Sequence, residues 1–396
     1  MVGDDPSSGP YGGLTDLAAY TPPMGQTPPG PGFLSLGQAT ARTIAQRAEA
    51  RGRLQRTLLV HGPAGAGKGA FVDDLLALLL CQAEVGERPC NACRGCRDAR
   101  ARTHPDLVIG SPERWRDARS TGESSVAAAR RWLLESAGAP IAGVRRVILV
   151  EGVDRANEQM QNALLKVLEE PTDRHLFILV ADEPMQVLPT IRSRSQALRV
   201  GPVPRADLVA WLVDQERLPA DQAHDLARMA GGMAGTAIGY AHRPELVEWR
   251  RRIQLELLEL LPRGRADRLG RVRELLDEAA RIAGPLPAEG QDDPTDGELV
   301  RLTGGAQREA ALLVVDAWLG LARDLLVVGA GRADGAAAST LQAPLVQAAP
   351  SLAPDQMRDF VLLLERMRDG LRQNAAPRLA LEVAMLAWPT VRPGHT

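Results

Sequence analysis

The run Leu58-Leu59-Val60 leads straight into Gly62-Pro63-Ala64-Gly65-Ala66-Gly67-Lys68-Gly69, and an apolar stretch at helical spacing, Phe71 to Leu80, follows. A short apolar strand, a glycine-rich loop and a helix in that order make a phosphate-binding loop. The glycines let backbone N–H groups close around an anion, and the lysine adds a point charge. Such a strand is buried on both faces, which commits this part of the chain to a parallel sheet covered by helices on either side. The loop departs from the full motif at its last residue. A Ser or Thr after the lysine ligates the Mg²⁺ that bridges the terminal phosphates, and Gly69 has no side chain to do so. The cradle of Gly62, Gly65, Gly67, Lys68 and Gly69 is kept and the metal ligand is gone. ATP binding without hydrolysis stays open on these residues.

Further strands are predicted at Leu107-Val108-Ile109, Val147 to Val150 and Leu176 to Val180. Helices are predicted at Gln38 to Arg51, Val126 to Glu135 and Asn157 to Glu169, the last stopped by Pro171. Beyond Gly201 the apolar spacing is helical throughout, over Ala206 to Glu216, Ala220 to Ala230, Pro244 to Leu261 and Asp267 to Ala283. The organisation expected is a tail over 1–33 without apolar periodicity, an α/β domain over 34–200 and a small helical domain over 201–284. An acidic linker over 285–298 and a helical block over 299–396 complete it. The tail holds seven Pro and seven Gly, a composition of disorder.

Charge limits the partners. A net charge of −2 and a pI near 6.4 do not suit a chain that holds nucleic acid by bulk charge. No apolar run reaches 18 residues, so no membrane span is expected, and a cytoplasmic location is the expectation. All basic residues but Lys68 and Lys166 are arginine. Lys166 sits beside Glu169 and Glu170, where a helical salt bridge is expected.

All four cysteines, Cys81, Cys90, Cys93 and Cys96, lie within sixteen residues at C-x8-C-x2-C-x2-C spacing. Four thiolates close a tetrahedral shell around Zn²⁺. No neighbouring base or open ligand position is evident, so the expected zinc is structural. Five arginines between Arg88 and Arg102 offset the charge of such a centre.

The second half of a nucleotide site is an apolar strand ending in Asp-Glu. Here Val147 to Val150 is followed by Glu151-Gly152-Val153-Asp154. Glu151 stands on the metal side with a longer reach, and Gly152 replaces the carboxylate that activates water. Removing both metal and water placement from phosphoryl transfer costs roughly 4 kcal/mol or more of barrier.

With these residues in hand, the chain resembles the clamp-loader subunits of bacterial DNA polymerase III. The resemblance rests on Asn162-Ala163-Leu164-Leu165-Lys166-Val167-Leu168-Glu169-Glu170-Pro171, on Glu183-Pro184, and on Leu188-Pro189-Thr190-Ile191-Arg192-Ser193-Arg194-Ser195, where the family has Ser-Arg-Cys and this chain ends in Ser195. The cysteine spacing with His104-Pro105-Asp106, Trp318 with Arg323-Asp324-Leu325-Leu326, and Asn374 to Glu382 add to it, so that it covers roughly residues 34–390. It implies an α/β AAA+ P-loop-type domain with a zinc module, a helical lid and an all-α collar.

Motor subunits of that family keep the Ser/Thr and the Asp-Glu pair, whereas its delta-prime branch commonly does not. The resemblance therefore implies a non-hydrolysing stator with no intrinsic activity within the DNA polymerase III holoenzyme. Its collar would pack with motor subunits and a delta subunit, and Arg194 would act as an arginine finger in trans. The complex would load a sliding clamp onto primed DNA. An ATP-hydrolysing gamma/tau-like motor and a zinc-dependent nucleic-acid-binding module are the alternatives.

Overall fold

The computed structural model describes residues 30–117, 122–169, 174–283, 304–332, 341–372 and 375–390. Residues 1–29 of the expected tail, Pro171, Asn374 and the acidic linker lie outside the described residues.

The chain divides into two compact units. The first ends at Trp211 and takes in Gly232–Thr236. Its elements are α1 (Ala39–Ala50), β1 (Thr57–His61), α2 (Lys68–Leu80), α3 (Arg94–Arg100), β2 (Leu107–Gly110), α4 (Pro112–Asp117), α5 (Ser125–Ser136), β3 (Arg146–Val150), α6 (Glu158–Glu169), β4 (His175–Ala181), α7 (Pro189–Ser193), β5 (Gln196–Arg199) and most of α8 (Arg205–Asp214). The five strands form one sheet in the order β2-β3-β4-β1-β5, and each neighbouring pair is parallel. The predicted P-loop-type α/β architecture is thereby borne out.

Period-two alternation explains how the strands build two cores from continuous apolar runs. Leu58, Val60, Val147, Leu149, Leu176 and Ile178 face one side, where they pack with Phe71, Leu75 and Leu79 of α2. Leu59, Ile148, Val150, Phe177 and Leu179 face the other, against Ala129 and Leu133 of α5 and Met160 and Leu164 of α6. Nearly every residue of α2 is buried, Asp73 and Asp74 included. This helix therefore lies inside the unit and does not behave as an amphipathic surface helix.

Parallel strands put all their carboxyl ends along one edge, and there the connecting loops converge. The glycine loop follows β1, Glu151 follows β3, and Asp182 follows β4. Since β1 pairs with β4 in the register His61↔Ala181, the loop and Asp182 leave the sheet side by side. The Gly62 N–H donates to the Ala181 carbonyl at 3.2 Å, which closes the gap between them.

The second unit comprises Leu212–Gly231 and the chain from Ala237 onward. It contains α9 (Ala220–Met229), most of α10 (Ala234–His242), α11 (Pro244–Glu259), α12 (Arg265–Ala283), α13 (Gly304–Gly329), α14 (Gln342–Ala348), α15 (Pro354–Arg372) and α16 (Pro377–Ala387). Its core forms around α13, whose Val314, Trp318 and Leu325 are buried. The Phe360 and Trp388 rings meet at 4.9 Å, and Trp388 Nε1 donates to the Leu257 carbonyl. Among the described residues no helix is long and apolar enough to cross a membrane.

Candidate phosphate-binding site

At two of the glycines predicted to shape the cradle, the surrounding packing leaves no room for a Cβ. At Gly62 (φ +152°) a Cβ would lie 1.8 Å from the Val200 carbonyl oxygen, just past β5. At Gly65 (φ +78°) it would lie 2.0 Å from Thr236 Oγ1. The Thr236 N–H also donates to the Gly65 carbonyl at 3.2 Å, so the first turn of α10 rests on the loop. Gly67, itself at φ +93°, precedes α2, and Lys68 and Gly69 are the first residues of that helix.

Lys68 is buried, and its ammonium group is fully engaged. Nζ donates to the carbonyls of Gly62 and Pro63 at 2.8 and 2.9 Å and pairs with Asp182 Oδ1 at 2.5 Å. An ammonium has three N–H donors, and each has a partner. Asp182 is fixed in turn, because its own backbone N–H donates to Asp154 Oδ2 at 3.0 Å. Beside the loop, burial first, and then the charges of Arg199 and Lys68, lower the pKa of His61.

Glu151, expected on the metal side, is engaged in the same manner. Glu151 Oε1 is paired with Arg102 Nη1 at 2.7 Å, and Arg102 Nε reaches Asp73 Oδ1 of α2 at 2.9 Å. Arg102 follows α3 with φ +57°, a left-handed conformation that is costly for a side-chain-bearing residue and is compensated here by two carboxylates. Burial pushes the Asp73 carboxyl up to about 6, with the Arg102 guanidinium pulling the other way. Gly152 sits at φ +62°, and a Cβ there would lie 2.2 Å from the Arg155 guanidinium. A carboxylate at this position would therefore be strained as well as crowded.

The cysteines converge as predicted. Their four sulfurs lie within 4.8 Å of one another, with Cys81–Cys90, Cys81–Cys93 and Cys90–Cys96 at 3.5, 3.9 and 4.0 Å. A tetrahedral zinc with bonds near 2.3 Å sets its sulfurs about 3.8 Å apart, so this group can hold such an ion. Backbone N–H groups point at the sulfurs: Gln82 and Cys96 donate to Cys93, Ala83 and Cys90 to Cys81, and Cys93 to Cys90. Burial raises the Cys90 thiol, but the N–H groups of Ala92 and Cys93 outweigh it and bring the thiol down to about 6. Burial pushes Cys81 and Cys96 upward. When bound, the metal would supply a cross-link between the end of α2 and the start of α3 and no chemistry of its own.

Arg194 takes no part in the cradle. It caps the C-terminus of α7, donates from Nη1 to the Thr190 carbonyl at 3.1 Å, and pairs through Nη2 with Glu169 of α6 at 3.1 Å. The guanidinium is nearly half exposed, at 43%. Glu169, one of the two carboxylates expected to pair with Lys166, holds this arginine, and the other, Glu170, lies outside the described residues.

Sequence reasoning missed Asp182 and Arg102. The first had a signal: a carboxylate directly follows an apolar strand that adjoins the P-loop strand in this class of sheet. The second had none, since its role depends on where α3 delivers it.

Residues 37–204 match the model of a family described as DNA polymerase III, delta subunit. A relative from Escherichia coli (strain K12) named DNA polymerase III subunit delta′ is 33% identical over 187 residues, 47% of this chain and 54% of that protein. The delta′ subunit of Pseudomonas aeruginosa is 33% identical over 184 residues, 45% of this chain and 53% of that one. A gamma/tau subunit from Mycobacterium tuberculosis (strain H37Rv) is 32% identical over 186 residues, 46% of this chain and 31% of that one. The chain thus spans about half the length of the delta′ relatives it matches.

Proposed function

We propose, from the match of residues 37–204 to the model of the family described as DNA polymerase III, delta subunit, that the chain is a delta-prime-type stator of a clamp loader. It assembles with motor subunits and a delta subunit, helps the complex place a sliding clamp on primed DNA, and hydrolyses no ATP of its own. The observation that carries this reading is the occupied metal side. Glu151, the one carboxylate offered for magnesium at the end of β3, is paired with Arg102, and Gly69 and Gly152 lack the side chains a motor needs. Phosphoryl transfer depends on metal and water placement more than on any covalent group of the protein.

Arg194 is the contribution to a neighbour. It is exposed, and its surface ion pair with Glu169 is of a kind worth about 1 kcal/mol or less. The guanidinium can therefore leave Glu169 for the developing charge on a γ-phosphate bound by an adjacent motor subunit. A trans arginine there is worth about 10³-fold or more in rate. Leu379, Val383 and Leu386 are exposed along α16 at i, i+4 and i+7, an apolar stripe suited to packing in a collar. The structural zinc of this reading sits on Cys81, Cys90, Cys93 and Cys96.

Reconstitution tests the proposal. Adding the chain to motor subunits, a delta subunit, clamp and primed DNA should support DNA-stimulated ATPase, and Arg194→Ala should lower it by about three orders of magnitude or more at that interface. An unchanged rate removes the trans role. Turnover by the purified chain alone at a motor-like rate, abolished by Lys68→Ala, favours the gamma/tau-like motor.

A further inference from the structure

The Lys68 ammonium marks where the terminal phosphates enter a loop of this kind, and in this chain that charge already has an anion. We propose that the Asp182 carboxylate is a built-in occupant of the cradle, a side-chain stand-in for a phosphate oxygen, and is the residue that keeps phosphate out.

Three observations support it. The first is saturation: all three N–H donors of Lys68 are engaged, two by the loop's own carbonyls and one by Asp182. An incoming phosphate finds no free donor on the lysine and must displace a carboxylate from it. The second is fixation. Asp182 leaves β4 at the residue after Ala181, which is in register with His61, and Asp154 holds the backbone N–H groups of both Asp182 and Glu183. The backbone that carries the carboxylate is thereby held beside Lys68. The third is the lack of a cation to offset the repulsion. A displaced Asp182 would face the phosphate as a like charge. In a motor, magnesium offsets such charge, but here Gly69 offers no ligand and Glu151 is already paired with Arg102.

The two ion pairs are complementary. Asp182 sits where the nucleotide would bring negative charge, and Arg102 binds the carboxylate to which a nucleotide complex would bring positive charge. Both positions are thus already taken by ion pairs from the chain itself.

The proposal deepens the stator reading and rests on it. Its test is binding rather than turnover. The full-length chain and its Asp182→Asn variant are titrated with inorganic pyrophosphate and with ATP, each in magnesium and in chelator, by calorimetry. Asn keeps an oxygen that accepts from Lys68 and removes the charge, so the fold should hold; Asp182→Ser serves as a second variant if the amide unfolds the chain. The expected result is at least tenfold tighter pyrophosphate binding by the variant than by the natural chain, independent of magnesium and lost in the Lys68→Ala/Asp182→Asn double variant. Equal affinity in the natural chain and the variant, absence of binding in both, or gained binding that survives the loss of Lys68 overturns the proposal. The stator reading fails separately, through ATP turnover by the natural chain, so either can fall while the other stands.

Discussion

Asp73 shows what a single buried charge does to this molecule. Its carboxyl titrates near 6 because burial penalises the anion more than Arg102 relieves it, against about 3.9 in an unfolded chain. The native state therefore binds the extra proton between these values. The stabilisation from that proton is fully present below about pH 4 and is lost as pH rises through 6. Asp73→Asn cannot titrate, so its stability relative to the natural chain should increase across that window. The difference amounts to roughly 3 kcal/mol by pH 7, read from chemical denaturation of both proteins at each pH. Parallel pH profiles for the two would refute the shift. Comparing the two proteins at each pH cancels any common loss of zinc in acid. Nothing in the sequence around Asp73 and Asp74 announced this, because two acidic residues on a helix ordinarily read as its solvent face. Almost the whole of α2 is buried, these two residues included.

At the level of elements, the zinc module decides more than its size suggests. α3 is only seven residues long, too short to persist without external support. Its support comes from the cysteines at its start and from two ion pairs, Arg100 with Asp74 and Arg102 with Asp73. Metal analysis should find about one zinc per chain, since the four sulfurs complete one tetrahedral shell. Replacing Cys93 and Cys96 by Ser should abolish it. Loss of the metal should also free α3 and lower the thermal midpoint of the α/β unit by several degrees. A metal-free natural chain with an unchanged midpoint would remove the structural role.

The cysteine cluster was legible because ligand spacing is a local property. β5 was not legible: Gln196–Arg199 has one buried residue in four and shows no strand pattern. It is a strand because β1 offers it a free edge. α7 was missed as an element for a related reason, being five residues that lead to Arg194.

On the scale of the whole molecule, the helical unit is joined by one buried cation. Arg268, 2% exposed, donates to the carbonyls of Leu260 and Leu261 at the end of α11 and of Trp388 and Pro389 after α16. Burial lowers its pKa. No local pattern marks this arginine, because its four partners come from two helix ends that are distant in the sequence. Arg268→Met keeps the length and removes the donors, leaving carbonyls unsatisfied at about 1–3 kcal/mol each where they stay dry. A loss of about 3 kcal/mol or more is expected in the unfolding of this unit, with zinc content unchanged. A midpoint equal to that of the natural chain would show that water replaces the guanidinium.

The amino-acid sequence by itself determined what is local: which runs are strands and helices, where the glycine loop lies, which thiols can share a metal, and that the hydroxyl and the water-activating carboxylate of a working motor are missing. These follow from side-chain period and spacing, which act over a few residues. Only the tertiary structure decided what took the place of the missing groups. Asp182 meets Lys68 because β4 inserts beside β1, and Arg102 meets Glu151 because α3 ends beside the exit of β3. Both encounters join charges brought together by strand order and helix placement, and charge pairing across a fold is set by distance in space rather than by distance along the chain.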